Sequence, residues 1–215
     1  MKKLVLLFAA TAFFTACKKD PGSTSGNVYY KYNDYVGNKP DAGAEIKLYN
    51  LNKGAEPATY EATTDVQGNY KIENIVPGDY LLFTVSKATT ASNAEILDQF
   101  VANSKDLKEL FGGDIESLSK DADELKSLEE NKAQAYAKAM SDFTVGDKYI
   151  NEYGKYLKES TAKQDAIGKK LPAKLKLFYS AAVGYDQKIE IKRINVEEAK
   201  NVQTNTDFGI TYSSK

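Results

Sequence analysis

The sequence predicts an α+β fold: an antiparallel β-sandwich interrupted by a helical insertion of two to three helices. Three observations carry this. Between Asp65 and Val85, β-branched and aromatic residues fill two runs, while Gly68 and Pro77-Gly78 supply backbone angles that strands do not adopt, so the stretch reads as two strands joined through a Pro-Gly corner. From residue 88 to 183 the apolar residues recur at spacings of three and four, the period of a helix. After that the period of two returns, with Ile189 and Ile191 alternating with Lys188, Glu190 and Lys192.

Taken in order, Val28, Tyr29, Tyr30, Lys31 and Tyr32 form the first strand-like run, and Gly37, Asn38, Lys39, Pro40 and Asp41 a turn region. Ala44, Ile46 and Leu48 alternate with Glu45 and Lys47, the mark of a half-buried strand. A short strand over residues 59–64 follows the break at Lys53-Gly54 and Glu56-Pro57. Tyr70 and Ile72 then alternate with Lys71 and Glu73, leaving one dry and one wet face, whereas residues 80–85 are almost wholly apolar and so belong at the centre of a sheet.

In the insertion, Ser92 and Glu95 make a capping box. Ile96, Leu97, Phe100, Val101, Leu107, Leu110 and Phe111 form one apolar stripe that ends at Gly112-Gly113. Asp114 caps a second helix bearing Ile115, Leu118, Ala122 and Leu125, continued by Tyr136, Ala139, Met140 and Phe143. A third carries Tyr149, Ile150, Tyr153, Tyr156 and Leu157 and closes near Gly168 and Pro172. Residues 174–179 alternate well enough for a strand returning to the sandwich, with a last helical turn as the alternative.

Composition removes many functions. The chain has 215 residues, 29 basic and 30 acidic, a net charge of -1 without clustering, which offers no electrostatic footprint for nucleic acid. It contains no histidine, so histidine-based acid/base chemistry, histidine-ligated metal and a Ser-His-Asp triad are excluded. No dinucleotide, P-loop or EF-hand fingerprint occurs, and no cofactor is expected.

Lys2-Lys3, the apolar run over residues 4–12 and the small residues after it read as a secretory signal too short to remain as a membrane span. Cys17, the single cysteine, follows Phe14, Thr15 and Ala16, and this resembles the lipobox of bacterial lipoproteins, with Phe14 where leucine is commonest. The resemblance implies cleavage after Ala16, lipidation of Cys17 and a membrane partner reached through the N-terminal lipid anchor. Several acyl chains give stable anchoring where one does not. No Asp follows Cys17, which by the same resemblance favours an outer-membrane lipoprotein, periplasm-facing or surface-exposed. Residues 17–25, with Pro21, Gly22, Ser23, Thr24 and Ser25, are expected to be a flexible tether.

Gly26 and Val28, then Pro40, Gly43, Ile46 and Leu48, then T-D-x-x-G-x-Y at Thr64, Asp65, Gly68 and Tyr70, then P-G-x-Y at Pro77, Gly78 and Tyr80, resemble the carboxypeptidase regulatory-like domain. That family implies a prealbumin-like (transthyretin-like) sandwich, related to Cna-B repeats and to starch-binding-like folds. Gly184-Tyr185, residues 188–192 and residues 205–212 match its ending about a hundred residues late. The implied organisation is a signal peptide over 1–16, a lipidated tether over 17–25, the first part of the sandwich over 26–87, a helical insertion over 88–183 and closing strands over 184–215. The resemblance implies a non-enzymatic binding or scaffold module with an envelope protein as partner, or else a carbohydrate-binding module for a polysaccharide.

Two further features bear on chemistry. Ser117 with Lys120 and Ser160 with Lys163 match S-x-x-K, the nucleophile spacing of penicillin-recognising enzymes, but the companion S-D-N and K-T-G motifs are absent, so no catalytic residue is assigned. Among the 15 tyrosines, Tyr29, Tyr30 and Tyr32 are candidates for stacking on sugar rings, weighed against half-buried cross-strand partners.

Overall fold

A computed structural model describes residues 20–53, 58–141, 146–176, 179 and 187–210. Cys17 and the Gly184-Tyr185 turn lie outside them.

Two sheets stack into a sandwich with a helical part. The first is built around β1 (Gly22–Asn33). On one side β1 pairs antiparallel with β5 (Asn69–Ile75) and β2 (Gly37–Pro40), on the other with β8 (Asn201–Gln203) and β9 (Thr206–Ile210). The second sheet has the order β4 (Tyr60–Thr63), β3 (Glu45–Asn50), β6 (Gly78–Thr90), β7 (Gln187–Val196), all antiparallel. The expectation of an antiparallel sandwich needs one correction: β8 and β9 run parallel to β1. The reason is topological. Val196, the end of β7, pairs with Gly78 at the end of the sandwich where β1 begins, so the returning chain starts from the same end as β1 and points the same way.

β6 lies between β3 and β7, and both its faces are buried. Tyr80 and Leu82 enter the core between the sheets, with Val28, Ile46, Leu48, Tyr70, Ile72 and Ile75. Leu81 and Phe83 enter a second core beneath the helices, with Ile96, Leu97, Phe100, Leu107, Ile189 and Ile191. A strand dry on both sides has to read as a continuous apolar run, which explains residues 80–85.

The tether expectation is also corrected. β1 starts at Gly22, and Thr24 is fully buried with its hydroxyl donating to the Val202 carbonyl at 2.8 Å. Ser, Thr and Gly look like a linker, yet here the backbone is paired on both sides by β5 and β8.

The insertion leaves β6 through the Ser92 capping box: the Glu95 amide donates to Ser92 Oγ at 3.2 Å and the Ser92 amide to Glu95 Oε2 at 2.7 Å. The stripe expected as one helix is two, α1 (Asn93–Ala102) and α2 (Ser104–Phe111), because Asn103 Nδ2 turns back to the Gln99 carbonyl at 2.8 Å and competes with the helical backbone. Arg193 of β7, held within the sheet by Asp79 of β6 at 3.3 Å, fastens α2 through Asp106 at 2.9 Å and Glu109 at 3.1 Å. A single 3₁₀ turn at Glu116–Leu118 leads into α3 (Ser119–Ser141), which pairs with α4 (Gly146–Lys170) as a long hairpin. Residues 173–176 and Tyr179 are helical, so of the two readings of 174–179 the helical turn holds at the residues described, 174–176 and 179; the Lys176 amide donates to the Pro172 carbonyl at 2.8 Å.

Candidate functional site

The hairpin is the largest feature that the sandwich does not need. Its base is tied down by burial and charge: Ala122 and Leu125 of α3 and Ile167 of α4 join the helical core. Asp121 receives Lys163 at 2.7 Å and Lys170 at 2.6 Å, and Lys163 also meets Glu124. Burial pushes the Asp121 carboxyl up, but the hydrogen bonds and charges of Lys163 and Lys170 outweigh it and leave it below its ordinary value. Stability from a depressed carboxylate is complete above the ordinary Asp range and is lost as pH falls through the lowered value. Asp121→Asn is therefore expected to cost about 2 kcal/mol at neutral pH and to flatten the acid limb of stability below about pH 4. Thermal melts at pH 3 and pH 7 check both; a variant with the wild-type acid slope refutes the assignment.

Midway along α3, Glu129 Oε2 accepts the Ala94 amide at 3.2 Å, at the positive end of α1. Burial, with the Glu129 carboxylate nearby, pushes the Tyr179 phenol up to about 12. Beyond Glu129 the hairpin packs chiefly on itself. Ala135 and Ala139 are buried at the seam, Gly146 lies near the Ala139 carbonyl, and the Tyr136 and Tyr153 rings are 5.8 Å apart. Lys138 and Lys148 each stand 5.6 Å from the Tyr149 ring. In this same distal half Tyr136, Met140, Ile150 and Leu157 are exposed by 55%, 56%, 58% and 43%. By their spacing all four belong to the apolar stripes expected from sequence, whereas the residues buried on α4 are Gly146, Ser160 and Ile167.

In both S-x-x-K pairs the serine and the lysine are engaged by other partners. Ser160 is buried and its hydroxyl donates to the Leu157 carbonyl at 3.0 Å, while hydrogen bonds to Asp121 and Glu124 raise the Lys163 pKa and keep it a cation rather than a base. Ser117 Oγ donates to the Asp114 carbonyl, and Lys120 lies 3.8 Å from Glu124. Among the described residues no group of three Asp, Glu, Cys or His could hold a metal ion. A hollow of about 290 Å³ lies between α1, β7 and β9, lined by Glu95, Asp98, Lys188, Glu190 and Asp207; at the small end for a ligand site, it holds no nucleophile with a base.

The candidate tyrosines do not converge. Alternation along β1 puts Tyr30 and Tyr32 on one face and Tyr29 on the other. Tyr30 packs against the core between the sheets, and Lys39 covers the Tyr32 ring at 5.0 Å.

No protein-family model matches the chain, and no curated protein does. Among solved structures it is similar to a minor pilin of the Gram-positive pathogen Streptococcus agalactiae, with 11% identity and a TM-score of 0.37 over 92% of this chain and 48% of the pilin. It is also similar to a candidate carbohydrate binding protein of Pseudomonas aeruginosa, with 14% identity and a TM-score of 0.24 over 32% of this chain and 66% of that one. The chain thus spans about half the length of the pilin. Neither likeness is close enough to carry a functional argument.

Proposed function

We propose that this chain is a non-enzymatic, lipid-anchored module of the bacterial outer membrane, whose sandwich holds the α3–α4 hairpin off the bilayer for a protein partner. One observation carries the reading: the start of the described chain lies at one end, and the far ends of α3 and α4, at Ser141 and Gly146, lie at the other. The Asp20 amide donates to Glu198 at the turn after β7, the end where Gly22 pairs with Ile75 and Gly78 with Val196. Cys17 is three residues before Asp20, so acyl chains there would hold this end within about 10 Å of the membrane. α1 begins at the other end, after Thr90, and Glu129 of α3 meets its first turn there. α3 continues from 129 to 141, twelve residues, or about 18 Å further out.

The sandwich is proposed to be prealbumin-like. Support comes from the motif order, with the Asp65–Gly68 turn ahead of β5 and the Pro77-Gly78 corner carrying the chain from one sheet to the other.

Growth with a clickable fatty acid tests the anchor. The wild-type chain is expected to take up label and sediment with outer membranes, and Cys17→Ala to do neither. A Cys17→Ala chain that still carries label and stays with membranes overturns the reading.

A further inference from the structure

We propose that the exposed face of the hairpin's distal half is a homotypic contact, in which two copies on one membrane pack their hairpins side by side into a four-helix bundle. The four exposed apolar side chains share one side of the hairpin. Lys163 meets Glu124 along one edge. Tyr136 is twelve residues after Glu124, and Leu157 six before Lys163, so each lies about 120° around its helix, on the other edge. Met140 is four residues from Tyr136 and Ile150 seven from Leu157, so each repeats its neighbour's face.

This side is already an interface at its base. Glu129, seven residues before Tyr136, is where α3 meets α1. Past the end of α1 the same stripe runs on, apolar and uncovered, with Tyr136, Met140, Ile150 and Leu157 all exposed by 43% or more. Soluble monomers rarely expose a contiguous set of large apolar side chains of this kind.

The charges that flank it fit a second copy: Glu130 lies about 120° around α3 from Tyr136 and Lys158 about 100° around α4 from Leu157, each on the side of its helix turned away from the other helix of its own hairpin. The Tyr136–Tyr153 contact sets the level of the two antiparallel helices. Glu130 is six residues back along α3 and Lys158 five on along α4, so they stand level to within about one helical rise of 1.5 Å. Neither makes an ion pair among the described residues. A twofold axis along the hairpin places α3 of one copy against α4 of the other, which brings Glu130 level with the second copy's Lys158 and, by symmetry, the reverse. That axis also keeps both sandwiches, and both N-terminal ends, on the same side. The shared membrane rests on the proposed anchor; the hairpin contact does not.

The test uses the full chain with its signal, in isolated membranes treated with a short bismaleimide. Met140→Cys is expected to give a covalent species of twice the chain mass, whereas Glu159→Cys, on the opposite side, is not. Adding Ile150→Glu should abolish the Met140→Cys product without changing circular dichroism. Glu130→Lys and Lys158→Glu should each lower the product about tenfold, and the two together should restore it. No product from Met140→Cys, a product containing a different protein, indifference to Ile150→Glu, or no rescue by the double reversal each overturns the contact. Wild-type chain that itself cross-links reveals a free Cys17 and so refutes the anchor alone; the hairpin contact is then read in a Cys17→Ala background.

Discussion

Replacing Gly26 by valine is expected to abolish the sandwich under conditions where the wild-type chain is folded. A Cβ on Gly26 would stand 1.8 Å from the Thr204 carbonyl oxygen, 2.7 Å from its carbon and 2.9 Å from the Tyr70 ring. None of these can withdraw cheaply. The Thr204 amide is bonded to the Ser25 carbonyl at 2.8 Å, and its carbonyl accepts the buried Tyr70 hydroxyl at 3.0 Å. To admit a side chain, β1 must part from the link between β8 and β9, breaking the ladder on which the first sheet is built. The expected loss is about 4 kcal/mol or more, the range reserved for core disruption, against total stabilities of about 5–15 kcal/mol. Gly26→Ala should lose nearly as much, because the first carbon already clashes. Gly154, with nothing within 4 Å of its added Cβ, is the control: Gly154→Ala in mid-helix should gain about 0.8 kcal/mol. Urea unfolding followed by circular dichroism reads both. A Gly26→Val chain with a wild-type midpoint would refute this account of the strand contact.

What could be read beforehand depended on whether one local signal decided the outcome. β6 was legible because burial on both faces leaves no room for alternation, and the Ser92–Glu95 box because both of its hydrogen bonds are local. β2 was not: Gly37, Asn38, Lys39 and Pro40 have turn composition, and only pairing with Tyr29 to Asn33 makes them a strand. The break between α1 and α2 rests on one side-chain bond from Asn103 that competes with helix propensity by a small margin. The start of β1 was hidden for the opposite reason, since Gly22 to Ser25 are held by long-range backbone partners around residues 71–75 and 200–204. On the hairpin the periodicity of Tyr149, Tyr153 and Tyr156 was visible, but Ile150 and Leu157 continue the same apolar spacing, so nothing within α4 marks them as the exposed ones.

Asp41→Ala is expected to have the next largest effect, because one buried carboxylate does the work of a missing stretch of ladder. The pairing of β6 with β7 is interrupted between Val85 and Thr90. The amides of Lys87 and Ala88 in that gap donate instead to Asp41 Oδ1 at 3.1 and 3.0 Å, and the Ser86 hydroxyl to Oδ2. Asp41 is 0% exposed, so no water stands by to replace it. Its own backbone is fixed by its amide donating to the Val28 carbonyl at 2.9 Å and by its carbonyl accepting the Thr64 hydroxyl. Alanine leaves three donors stranded at the point where β6 hands over to α1, at an expected cost of about 3 kcal/mol. Asparagine keeps one acceptor oxygen but turns an NH2 toward a donor, so it should lose less than alanine while still exceeding a surface substitution. Hydrogen exchange separates this local account from general destabilisation. In Asp41→Ala the amides of Lys87 and Ala88 should lose protection ahead of Leu81 and Phe83, whose ladder with β7 is intact. If all four lose protection together, Asp41 is one more core residue and not the clamp that sets how the insertion, and with it the hairpin, leaves the sheet.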